Sequence, residues 1–148
     1  MRLPKVWLIW LMLAAFVAIF LLMELAGGST TLRVLIQFGA TTGRRARGRA
    51  GRRLISRGML HIGVMHLLMN GWGLIILGKA LEEVHGPRTL WALFILPVLG
   101  GSITSNLTST HVSAGASGGL FGLIGAYVVY ASFAPVIAKA IASFKATP

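Results

Sequence analysis

Three side chains at fixed spacings are capable of chemistry. Ser117 lies within Gly115-Ala116-Ser117-Gly118-Gly119, flanked by glycines that permit unusual backbone angles and let another backbone approach closely. The apolar segment that follows predicts a helix with Ser117 at its start, where unpaired N–H groups favour negative charge. A serine so placed can attack a carbonyl carbon, with its own N–H helping to hold the oxyanion that forms. His66 and Asn70 are four residues apart, so on a helix turning about 100° per residue they share a face and can supply further donors. His61, five residues before His66, points about 140° away on the same wheel and is expected elsewhere. Taken alone, His66 and Asn70 fit equally well as packing groups that bond between membrane helices for about 1 kcal/mol.

The elements that must carry these residues are membrane spans. The chain has 148 residues, of which 55% are hydrophobic and only 11% charged, against soluble averages of about 45–50% and about 25%. Val6 to Met23 is an unbroken apolar run, which reaches Ala26 when extended through Glu24 and Leu25. It is long enough to cross a hydrocarbon core of about 30 Å and longer than the signal-peptide core of about 7–15 residues. Further spans are expected at about 58–78, 89–105 and 114–134, the third containing Pro97 and the fourth ending near Pro135. A short polar turn, KALEEVHGPR, is expected between the second and third. Residues 27–57 form an Arg-rich first loop. With no Cys and no Asp in the chain, disulfides, thiol nucleophiles, Cys-ligated metals and any Asp-containing triad are excluded. GASGG lacks the preceding strand and the Lys of a phosphate loop.

The net charge of +11 is concentrated in the first loop. Arg44, Arg45, Arg47, Arg49, Arg52 and Arg53 have no acidic offset and no interleaved aromatic residues for stacking bases, so anionic lipid headgroups are the expected partner and nucleic acid is not. A basic anchor that recruits RNA or acidic lipid would account for this run, but not for His66, Asn70 and Ser117.

From about Leu35 to Tyr130 the chain resembles the rhomboid family of intramembrane serine proteases. HIGVMHLLMN is similar to the family's second-helix pattern, GKALE to its G-x-x-x-E, and GASGGLFG to its G-x-S-G nucleophile motif, in the family's order and spacing. The resemblance implies an all-α, polytopic membrane helical bundle containing four helices of a six-helix core. It also implies an integral, multi-pass location in a membrane, the plasma or inner membrane if the source is bacterial. The reaction implied is cleavage of transmembrane protein substrates by a Ser-His dyad, with no metal or organic cofactor. Ser117 would be the nucleophile, His66 and Asn70 the oxyanion donors, and His61, Gly115 and Gly118 structural residues near the site.

The chain departs from the family in three respects. Arg52-Arg53 stands where Trp-Arg is usual. Eight Arg from Arg33 to Arg57 lie in a loop that the family places outside the cytoplasm, against six basic residues inside, which opposes the positive-inside rule. No His follows Ser117, whereas the family's general base is a His on its sixth helix. The chain is therefore expected to be a fragment, inactive alone. The alternative is a non-catalytic relative that binds transmembrane clients.

Overall fold

The computed structural model describes residues 6–42, 54–108 and 112–145, with the side chains of 41–42, 112–113 and 137–145 left aside. The fold is a bundle of apolar helices. α1 spans Leu8–Leu25. It is apolar on every side, so its sequence does not mark a core face. Packing selects Ile9, Met12, Phe16, Phe20 and Met23, at helical spacing, for burial, while Trp10, Leu11, Leu21 and Leu22 remain exposed. The helix stops where Gly27 and Gly28 take φ of 120° and 102°, angles that side chains with a Cβ rarely adopt.

The first loop is not featureless. It contains α2 (Leu32–Phe38), closed by Gly39 at φ 118°, whose Val34 and Leu35 pack with Met23, Ala40 and Leu60. It also contains β1 (Thr41–Thr42), which pairs antiparallel with β2 (Val112–Ser113) in the register Thr41↔Ser113 and Thr42↔Val112. A further helical segment at 54–56 leads into a 3₁₀ turn, Arg57–Met59. The arginines Arg44, Arg45, Arg47, Arg49, Arg52 and Arg53 fall outside the described residues.

The second span begins later than expected. Gly63 has φ 78°, so α3 starts there and runs to Gly73. A π-helical turn, Leu74–Gly78, joins it to α4 (Lys79–Thr108). The expected polar turn after Gly78 is instead helical, and the single break falls at Gly86, with φ 80° and ψ 168°. There the chain reverses: His85 meets Tyr130 at one end of the bundle, whereas Val98 lies beside Gly118 and Gly58 at the other. α5 covers Ser117–Lys145 and continues through Pro135, where the sequence predicts an end. Among the described residues, three helical segments are long and apolar enough to cross a membrane: Leu8–Leu25, the doubled Gly63–Thr108 and Ser117–Val136.

Phe16 and Phe94, both fully buried, lie 6.2 Å apart at the centre with Leu74, Leu90 and Leu123 around them. α4 and α5 approach closely where α5 supplies glycines. A Cβ at Gly119 would collide with the Phe94 ring, and one at Gly122 would collide with Pro97 and the Leu93 carbonyl. α1 is tied in from a distance. It has no side-chain cap from its own N-cap residue, Trp7. Glu82, 1% exposed, accepts the Leu8 N–H on Oε1 at 2.8 Å and the Ile9 N–H on Oε2 at 3.1 Å, satisfying two amides that a helix start leaves without intrahelical partners.

Candidate active site

Ser117 is the first residue of α5, so its amide is among those without an intrahelical partner. Immediately before it, Gly115 holds φ 134° and donates its N–H to the Arg57 carbonyl at 2.8 Å. A Cβ at Gly115 would lie 2.7 Å from His66 Cε1, 3.1 Å from His66 Nε2 and 3.7 Å from Ser117 Oγ. The imidazole edge and the hydroxyl therefore converge on the space that glycine leaves open.

His66 is oriented by its own helix start. Its Nδ1 accepts the Ile62 N–H at 3.2 Å. In the neutral ring that bond assigns the proton to Nε2, the nitrogen facing Gly115. Asn70, 3% exposed, donates one amide N–H to the His66 carbonyl at 2.7 Å. His66, Asn70 and Ser117 line one cavity of about 280 Å³, together with Met69, Leu120, Phe121 and Ile124. Among these seven side chains the three named first are the polar ones, so the cavity has largely apolar walls. Ser117 itself is exposed.

The helical wheel misplaces His61. Leu60 and Ile62 are extended and the helix starts only at Gly63, so the 100° rule does not apply between His61 and His66. The two rings instead meet edge-on at 5.4 Å. His61 is fully buried against Phe16, with ring centroids 4.7 Å apart. Its Nδ1 lies 3.1 Å from the Met59 carbonyl, and its Nε2 has no hydrogen-bond partner among the described residues. Gly118 brings α5 against α4, since a Cβ there would stand 3.4 Å from the Pro97 carbonyl oxygen. His85 is at the far end, edge-on to Tyr130 at 5.4 Å. His111 lies outside the described residues.

Sequence reasoning passes over two residues that hold this site. Ser29, 1% exposed, accepts the Gly63 N–H on its hydroxyl at 3.1 Å, fixing the start of α3. Arg57, 5% exposed, reaches the Gly101 carbonyl at 3.3 Å and Asn106 Oδ1 at 3.2 Å. Burial lowers its pKa from the ordinary guanidinium value, and the group remains charged. Nothing in the sequence separates Arg57 from the six arginines just before it. Ser29 carries no motif.

Comparison with known proteins adds an independent line. The Rhomboid domain family matches residues 49–145. The chain is 35% identical over 122 residues to "Rhomboid protease GluP" of Bacillus subtilis (strain 168), covering 82% of this chain and 24% of that protein. It is 47% identical over 77 residues to "RHOMBOID-like protein 5" of Arabidopsis thaliana, covering 50% and 25%. It is 36% identical over 87 residues to "Putative rhomboid protease YdcA" of Bacillus subtilis (strain 168), covering 55% and 42%. The chain thus spans about a quarter of the length of the first two relatives.

Proposed function

The chain belongs to the rhomboid family, and we propose that it contributes the nucleophile and oxyanion donors of an intramembrane serine endopeptidase acting on transmembrane protein substrates. The observation that carries this reading is the convergence of the His66 ring and the Ser117 hydroxyl over Gly115. Ser117 Oγ attacks the scissile carbonyl carbon and gives up its proton to a base. The oxyanion is held by the Ser117 N–H, by His66 Nε2–H and by the second N–H of the Asn70 amide. The same base returns the proton to the departing amine, and water then cleaves the acyl-enzyme.

Among the described residues no further imidazole is placed to act as that base. His61 is walled in by Phe16, and His85 is at the opposite end of the bundle. In this reading the base is a His outside the described residues, as on the family's sixth helix. We assign Arg44, Arg45, Arg47, Arg49, Arg52 and Arg53 to anionic lipid headgroups.

The test is cleavage of a transmembrane substrate in liposomes by the chain and by Ser117→Ala. Each is assayed with and without a full-length rhomboid inactivated at its own serine, which supplies a His-bearing helix in trans. Cleavage is expected only from the unsubstituted chain with the complement. An unassisted serine lacks the proton transfer worth about 10²–10⁴ in rate. Cleavage by the chain alone, lost in Ser117→Ala, would refute the expectation that the chain is inactive alone and direct the search for the base to His111. No cleavage in any combination, with the two proteins co-purifying and substrate retained, would support the non-catalytic, client-binding reading.

A further inference from the structure

Arg57 acts on both sides of the connection between α4 and α5. Its guanidinium joins the Gly101 carbonyl and Asn106 Oδ1 on the last turns of α4, where a helix C-terminus favours a cation. Its own carbonyl receives the Gly115 N–H, two residues before Ser117. We infer that Arg57 is a positioning residue for the Ser117 site: by bonding α4 through its side chain and Gly115 through its backbone, it holds Gly115 in the one place where the His66 ring and the Ser117 hydroxyl both fit.

This inference rests on the protease reading for its purpose but not for its test. Displacement of about 1 Å at such a site costs about 100-fold in rate, and the clearance at Gly115 is small, since even a Cβ would come within 2.7 Å of His66. The requirement is for arginine in particular. Two acceptors on separate turns suit a planar fork, whereas a lysine ammonium is a single point charge on a flexible stem. Ser102 provides an internal control. Its hydroxyl donates to the Leu54 carbonyl at 3.0 Å and ties the same segment to α4 without touching Gly115.

The experiment uses the full chain in detergent micelles, labelled with ¹⁵N-glycine and ¹⁵N-histidine, and needs no cleavage. In Arg57→Lys the Gly115 amide should exchange with solvent at least tenfold faster, and the His66 ring nitrogens should shift toward averaged tautomers. Ser102→Ala should change Gly115 exchange less than twofold. Asn106→Ala, which removes one guanidinium acceptor, should raise it about threefold and serves if Arg57→Lys does not fold. Unchanged Gly115 and His66 signals in Arg57→Lys or, where that variant is lost, in Asn106→Ala would overturn the inference. Equal effects from Ser102→Ala would also overturn it, since Arg57 would then be one tether among several. A wild-type chain that stays silent even with the His-bearing complement would sink the protease reading and leave this result standing.

Discussion

Glu82 offers the sharpest test of how the bundle is held, because its carboxyl caps a helix that begins 74 residues earlier in the chain. Replacing it with Ala leaves the Leu8 and Ile9 amides buried without acceptors. Each unsatisfied buried donor costs about 1–3 kcal/mol, so with two of them Glu82→Ala should lose about 2–6 kcal/mol. Glu82→Gln keeps a carbonyl oxygen for one amide and turns an NH₂ group toward the other, so about half that loss is expected. Side-chain hydrogen bonds in membranes average only about 0.6 kcal/mol, because the unfolded chain finds other partners there. That discount applies weakly here, since first-turn amides have no intrahelical alternative. Glu83 is exposed, and Glu83→Gln should stay within about 0.5 kcal/mol, as surface changes usually do. The assay is equilibrium unfolding in mixed micelles of rising SDS fraction, followed by tryptophan fluorescence. If Glu82→Ala and Glu82→Gln both unfold with the Glu83→Gln control, the capping argument is wrong.

Gly115→Ala forces a Cβ into the His66 ring at a backbone angle of 134°, and should cost about 1–3 kcal/mol in the same unfolding assay. In the complemented cleavage assay it should lower the rate at least 100-fold, by the displacement argument; retention of both stability and rate would show that His66 and Ser117 do not depend on this glycine. A peptide of residues 41–57 should float with acidic liposomes and release steeply as salt rises past the point where the Debye length falls below about 10 Å. Salt-resistant, sequence-selective RNA binding by that peptide would instead favour the anchor reading.

The parts of this fold that are legible in the sequence are those set by local composition. The apolar run from Val6 predicts α1 within two residues of its observed ends, and the glycines around Ser117 mark the start of α5. What the sequence hides is set by single dihedral angles and by distant partners. Gly63 moves the start of α3 and thereby brings His61 beside His66, and Gly86 alone makes the turn that ten polar-looking residues suggested. Glu82 is visible within GKALE, but its partners at Leu8 and Ile9 are not. Arg57 is one arginine of seven until three-dimensional packing buries it.

The pairing of Thr41–Thr42 with Val112–Ser113 also imposes a timetable on biogenesis. Ribosomes deliver the N-terminal part first, at about 5–20 residues per second, so β1 waits several seconds for its partner strand. The Arg57 carbonyl waits similarly for Gly115, and His66 for Ser117. The nucleophile is thus made after both oxyanion-donor side chains. A nascent chain still threading into the bilayer holds the oxyanion donors without the serine and cannot attack its neighbours or itself.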